Sequence, residues 1–235
     1  MKILGIESST QVASVAVIEG DTVLGELTYN LGKTHSEKLL PMVRSLLSFL
    51  DMAPAGLDGL AVALGPGSFT GLRIGLATAK GLAYALERPL VGVNTLDALA
   101  WNLRGVEGGI CPLINARRGE CYAAVYDGQA RRLSGYIAGD VGTIQEAIRE
   151  AGLTSPVFLG DGALVVKEEL ERAFPGYRLA EPGSGIHRGS SVALLGRESF
   201  DAGRMEDIYA MEPFYIRESG AERIWKENQA KGECR

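Results

Sequence analysis

Two histidines in 235 residues leave little room for transition-metal chemistry. His35 and His187 are far apart in sequence, so neither H-x-x-x-H nor HExxH can be built, and a His-rich metal centre is excluded. Each histidine is expected at the surface or at a helix cap, since a lone imidazole carries no ligand geometry. His35 falls at a helix start, where the dipole disfavours its protonated form. The three cysteines, Cys111, Cys121 and Cys234, are an odd number without C-x-x-C spacing. That argues against a disulfide framework or a zinc site and for a reducing compartment, the cytoplasm. Long apolar runs are missing, none approaching the ~20 residues of a membrane span, and the opening MKILGIESST lacks the layout of a signal peptide. Basic excess is missing as well: the net charge is −5, whereas a protein that grips nucleic acid alone carries a basic surface. Work on RNA would therefore depend on a partner for most phosphate contacts. No G-x-S-x-G elbow appears, which leaves a serine triad without its usual local frame.

What is present is a folded, well-buried chain, with 46% hydrophobic and 23% charged residues. KILGIE, VASVAVI and TVLGELTY read as three strands, with a turn at Glu19–Asp21. A helix follows near Ser36–Leu50, its apolar positions spaced i, i+4, i+7, i+8. Thr34 and Glu37 have capping-box spacing at its start, and Pro41 lies inside it. DGLAVAL reads as a buried strand, GSFTGLRIGLATAKGLAYAL as a loop and helix, LVGV as a strand, and Leu96–Leu103 as a helix. The second half repeats the order: ICPLINA, ECYAAVYD and RRLSGYIA as strands with an Asp127–Gly128 turn, then TIQEAIREAG, PVFLGDG, ALVVKEELERAF, YRLAEP and SSVALLGRESFDAG as alternating helices and strands. Two βββαβαβα units of this kind predict an α/β protein with mixed sheets covered by helices. They would form two lobes over residues 1–104 and 105–210, followed by an extension, 211–235, that returns as a helix to the first lobe and then frays. A cleft between two such lobes is a favoured ligand site.

Four stretches are candidate sites. In GPGSFTG, Gly65 and Gly67 allow a tight turn between strand and helix, and Ser68 or Thr70 can cap the helix. Free N–H groups there attract anions. Neither a Walker A lysine nor the third glycine of G-x-G-x-x-G follows, so a close turn and a nucleotide or anion contact both remain readings of the motif. Along the helix, Gly71, Gly75, Ala79 and Ala83 form one smooth ridge. Two glycines on it, each costing roughly 1 kcal/mol relative to alanine, imply close packing, either on this chain's own sheet or on another chain. Glu7, Ser8, Ser9 and Thr10, between the first two strands, could hold a metal-bound phosphate or make an ordinary turn. Arg117 and Arg118, between two strands of the second unit, could reach a phosphate or form a solvated hairpin.

ILGIESSTQVASVAV, KTHSEKLLPMV, GPGSFTGLRIGLATAKGLAYALERPLVGVNTLDALA and INARRGECYAAVY together resemble the bacterial tRNA threonylcarbamoyladenosine biosynthesis protein family TsaB (YeaZ). The match covers most of the first 126 residues, and PFYIR near the end is similar too. The resemblance implies the two-lobed ASKHA fold of actin, sugar kinases and Hsp70, with a ribonuclease-H-like sheet in each lobe. It also implies a catalytic paralogue, TsaD, whose metal-binding histidines stand where this chain has Thr95 and Leu99. Metal-dependent transfer chemistry is then expected to be absent, with no catalytic residue and no metal ligand here. Glu7 replaces the family's usual aspartate, keeping the charge on a longer side chain.

The resemblance implies a partner-binding subunit. The surfaces expected to join TsaD, or a second copy of the chain when it is alone, are Leu39, Leu40, Val43, Leu46 and Leu47 on the first helix and Gly71, Gly75, Ala79 and Ala83 on the second. Further implications are a TsaE-like ATPase in the assembled complex, tRNA reached only through that complex, no tightly bound cofactor, and ATP or ADP admitted only within the assembly, at Glu7, Ser8, Ser9, Thr10, Gly65, Gly67 and Ser68. Two rival readings are a stand-alone ATP-binding enzyme of the same superfamily and a peptidase. The latter lacks a visible nucleophile, base and orienter.

Overall fold

A computed structural model describes residues 1–30, 35–205 and 207–217, with the backbone alone at 35 and 36. Three strands open the chain: β1 (Lys2–Glu7), β2 (Val12–Glu19) and β3 (Thr22–Asn30). Then come α1 (His35–Phe49), β4 (Gly59–Gly65), α2 (Phe69–Leu86), β5 (Leu90–Asn94) and α3 (Thr95–Trp101). They build a five-stranded sheet in the order β3-β2-β1-β4-β5. β1 runs antiparallel to β2 (Gly5 opposite Ala16) and parallel to β4 (Ile6 beside Val62). The strand side-chain period of two divides β1 between faces. Leu4 and Ile6 enter a core with the inner faces of α1 and α2, while Ile3 enters another with Val192 and Ala193.

The second sheet has the same plan. β6 (Gly109–Arg117), β7 (Glu120–Ala123), β8 (Tyr126–Asp127), β9 (Ile137–Gly139), α4 (Val141–Glu150), β10 (Val157–Leu159), α5 (Asp161–Val165), α6 (Lys167–Ala173) and β11 (Arg178–Leu179) follow in order. The sheet order is β11-β10-β6-β7-β9, with β8 pairing β6 off that path. With β8 set aside and the second sheet read from its β9 edge, renumbering from the first strand of each unit gives 3-2-1-4-5 in both, which is the expected duplication. The expected strand at RRLSGYIA contracts to Ile137–Gly139. The expected helix at ALVVKEELERAF breaks at Val166 into α5 and α6.

One element sits elsewhere than the sequence order implies. α7 (Gly189–Asp201) closes the second unit in sequence but packs on β1, β2, β4 and β5 of the first sheet. Its approach is set by small residues: a side chain at Gly5 would overlap the Gly189 carbonyl and Ala193, and one at Gly196 would overlap Ala61. The second lobe therefore does not run unbroken from 105 to 210. Its sheet ends at Leu179, and the chain returns to the first lobe. The lobes share a buried apolar layer in which Leu96, Leu99 and Ala100 of α3 meet Ile110, Ile114, Tyr126 and Leu159. Thr34 of the expected capping box, and 218–235 of the expected terminal helix, lie outside the described residues.

Candidate functional site

The carboxyl ends of β1 and β4 and the start of α2 meet at one place. Ser68 caps α2, its Oγ accepting from Gly71 N at 3.3 Å. Ser68 N donates to the Ser9 carbonyl at 2.5 Å, and Ser8 Oγ donates to the Gly71 carbonyl at 2.9 Å. The glycines follow from this seam. A Cβ on Gly67 would strike the Ser9 carbonyl, one on Gly71 the Ser8 carbonyl, and one on Gly75 the Ser8 hydroxyl. The structure thus joins the first-hairpin serines, GPGSFTG and the start of the small-residue ridge into one internal contact. Two N–H groups of the α2 start, those of Ser68 and Gly71, are already engaged by this chain's own oxygens. Thr10 Oγ1 accepts from Val12 N, as an ST turn does.

Glu7 is 1% exposed. Its Oε1 accepts from Ser9 N at 2.6 Å, while Oε2, like Ser9 Oγ, has no hydrogen-bond partner among the described residues. Burial pushes the carboxyl up to about 7, against the lowering effect of hydrogen bonding from Ser9 and Ser8. The hairpin therefore holds a carboxyl whose ionised form is disfavoured by its burial.

The metal question has a chemical answer. Thr95 and Leu99 are both buried, and Leu99 lies in the apolar layer between the lobes. Neither is an imidazole or carboxylate, and no group of three His, Cys, Asp or Glu among the described residues could hold a metal ion. The donor set does not fit such a site. His187, expected at the surface or a cap, is instead 3% exposed; both ring nitrogens lack partners among the described residues, and burial pulls it down to about 4, so it is neutral. The His35 side chain lies outside the described residues.

The helix surfaces need a larger correction. Leu39, Val43, Leu46 and Leu47 are buried in the core of their own lobe with Leu4, Ile6 and Leu60. Gly71, Gly75, Ala79 and Ala83 are buried too, with Ala79 fully covered. The ridge faces this chain's own sheet and first hairpin. Of the nine residues expected at a partner surface, Leu40 alone is exposed, at 53%. What α1 and α2 turn outward is a different set: Leu40, Pro41 and Phe49, and Ala77, Gly81, Tyr84 and Ala85. Gly81 stands two residues past Ala79, on the opposite side of the helix, and a Cβ there would meet nothing within 4 Å among the described residues.

Arg117 and Arg118 are exposed and take left-handed backbone angles, φ 69° and 57°, ahead of Gly119 at 77°. Arg117 N is held by Asn115 Oδ1 at 2.8 Å. Sequence reasoning missed a polar contact between lobes: Asp97 of α3 accepts from Tyr126 Oη at 2.6 Å and Tyr136 Oη at 2.9 Å. The tyrosines lie 29 and 39 residues away in sequence, so no local pattern could pair them.

Comparisons with known proteins agree with this architecture. The sequence model of the family described as TsaD, tRNA N6-adenosine threonylcarbamoyltransferase, matches residues 22–160. The tRNA threonylcarbamoyladenosine biosynthesis protein TsaB of Bacillus subtilis is 35% identical over 97% of this chain and all of its own length. The protein of that name from Escherichia coli is 38% identical over 54% of this chain and 55% of its own. Among solved structures, a Pseudomonas aeruginosa protein described as similar to peptidase YEAZ superposes with a TM-score of 0.76 at 26% identity, over 92% of this chain and 99% of its own. A ROK hexokinase from Thermus thermophilus superposes with a TM-score of 0.51 at 14% identity, over 86% of this chain and all of its own. The fold is the two-lobed ASKHA fold.

Proposed function

This chain belongs to the TsaB family of tRNA threonylcarbamoyladenosine biosynthesis proteins, and on that premise we propose that it is a non-catalytic subunit. It serves formation of threonylcarbamoyladenosine in tRNAs that read codons beginning with adenosine, by binding the catalytic paralogue TsaD. The observation that carries this reading is the outer face of α2. Gly81 sits within an 18-residue helix, at a cost of roughly 1 kcal/mol relative to alanine, and no contact among the described residues explains it. Tyr84, one turn on, is 72% exposed. A bare backbone beside an exposed tyrosine suits close approach by another helix. The absent metal ligands at Thr95 and Leu99 point the same way, since the chain keeps the paralogue's frame without its metal chemistry.

In this reading a second copy occupies the same face when the chain is alone, a TsaE-like ATPase joins the assembled complex, and tRNA is reached through the complex in the cytoplasm. Reconstituting tRNA modification with and without this chain tests it. Modification should require both this chain and TsaD, and full modification by this chain alone would overturn the reading. Light scattering after size-exclusion chromatography should show a homodimer that gives way to a mixed complex. Gly81→Arg should abolish both assemblies and leave the monomer folded.

One observation favours a second reading. Glu7 Oε2 and Ser9 Oγ at the first hairpin have no partner among the described residues, which leaves hydrogen-bonding capacity for a nucleotide-borne group. Calorimetry with Mg-ATP separates the two: binding by the isolated chain supports a stand-alone ATP-binding protein, and binding only in the presence of TsaD supports a nucleotide admitted by the assembly.

A further inference from the structure

Met211 to Arg217, MEPFYIR, crosses from one lobe to the other. Its start is anchored in the first lobe: Met211 is 3% exposed and belongs to the core beneath α1 and α2. Just upstream, Lys80 Nζ of α2 donates to the Tyr209 carbonyl at 3.4 Å. Phe214 N then donates to the Leu64 carbonyl at the end of β4, at 2.7 Å. Tyr215 stacks on Phe69 at the start of α2, with ring centroids 5.2 Å apart. From there contacts pass to the second lobe. The Phe214 ring lies 5.3 Å from Tyr136, which is itself tied to Asp97 of the first lobe. Arg217 makes a forked pair with Glu120 of β7, Nη2 to Oε1 at 3.1 Å and Nη1 to Oε2, and Nη2 also donates to the Ala138 carbonyl of β9 at 3.0 Å.

We propose that Met211–Arg217 is an interlobe strap that holds the two lobes in one relative disposition, with the Arg217–Glu120 fork as its catch. The physical case rests on geometry of attachment. A segment fixed at both ends and at two aromatic contacts between them limits the relative rotation of the bodies it joins. Forked arginine–carboxylate pairing fixes orientation as well as distance. The strap also runs beside α2, where Tyr215 stacks on Phe69 and, just upstream of the strap, the Tyr209 carbonyl accepts from Lys80, so it ties the helix with the outward Gly81 face to the second lobe. Exposed ion pairs contribute little to folding stability, so releasing the catch should widen the excursions of the lobes about the buried layer they share without unfolding them.

The test is pulsed electron spin resonance on the full chain. Spin labels go on Ser48→Cys in α1 and Glu150→Cys in α4, both exposed, in a Cys234→Ser background that keeps the buried Cys111 and Cys121. One narrow distance peak is expected with the strap intact. Arg217→Glu should broaden it into a distribution while far-ultraviolet circular dichroism and the melting temperature stay unchanged. Glu120→Arg combined with Arg217→Glu should restore the narrow peak, and Phe214→Ala should broaden it again. An unchanged narrow peak in folded Arg217→Glu, or failure of the charge-swapped pair to restore it, overturns the strap. If Phe214→Ala does not fold, the Arg217 pair decides alone.

Discussion

Glu7 and His187 show how much a single buried group contributes to the pH response. Glu7 is lifted from 4.5 to about 7, so between those values the folded state keeps a proton that the unfolded state has lost. Its contribution is full below 4.5 and disappears as pH rises to about 7. His187 is lowered from 6.5 to about 4; the unfolded state then holds the extra proton, and stability grows as pH rises from 4 to 6.5. Each shift is worth on the order of 3 kcal/mol by linkage, and between pH 4.5 and 6.5 the two slopes oppose. Wild-type melting temperatures should therefore vary little across that interval. Removing one partner should expose the other: Glu7→Gln should gain stability steadily from pH 4.5 to 6.5, and His187→Gln should lose it over the same range. Parallel, flat profiles for both variants would show that neither group is buried as described.

Among the elements, α2 separates what sequence pattern reveals from what it conceals. The strand and helix order of the first unit was legible, because β-branched runs and i, i+4 spacing are local signals; in the second, the expected strand ECYAAVYD is split into β7 and β8 and the expected helix ALVVKEELERAF into α5 and α6. A cap at Ser68 or Thr70, and a close turn at Gly65 and Gly67 as one of two readings, were legible for the same reason; the structure selects Ser68. The direction of the Gly71–Ala83 ridge was not. Small residues permit close approach to any neighbour, and the ridge met this chain's own hairpin rather than another protein. The docking of α7 on the first sheet was equally hidden, since complementarity between Gly5 and Gly189 lies 184 residues apart (189 minus 5). Two substitutions make the distinction measurable. Gly71→Ala puts a methyl group on the Ser8 carbonyl and should cost about 1–3 kcal/mol as an overpacked contact, read by chemical denaturation. Gly81→Ala meets open space and should stabilise the isolated chain by up to about 1 kcal/mol while weakening association with TsaD. Destabilisation by Gly81→Ala would mean that its side of α2 is covered within the protein after all.

At the scale of the whole molecule, the two lobes share apolar and polar contacts that no single element reveals. The sequence reading placed a cleft between them, and the structure fills part of that boundary with Leu96, Leu99, Ile110, Ile114 and Leu159. Asp97 then holds Tyr126 and Tyr136 across it, and burial, with the Asp97 carboxylate beside them, raises both hydroxyls above the usual tyrosine range. A continuous buried layer of this kind predicts that the lobes unfold together, as one cooperative transition. Asp97→Ala leaves the buried Tyr126 hydroxyl without its acceptor, which should cost about 1–3 kcal/mol. Tyr126→Phe in the Asp97→Ala background removes the stranded hydroxyl and should recover part of that loss, giving non-additivity between two residues in contact. Scanning calorimetry reads both effects. One transition, shifted down by Asp97→Ala and partly restored in the double variant, is the outcome of lobes joined through this layer. Two resolved transitions in the wild type would instead mean that each sheet, with its own helices, is stable without the other.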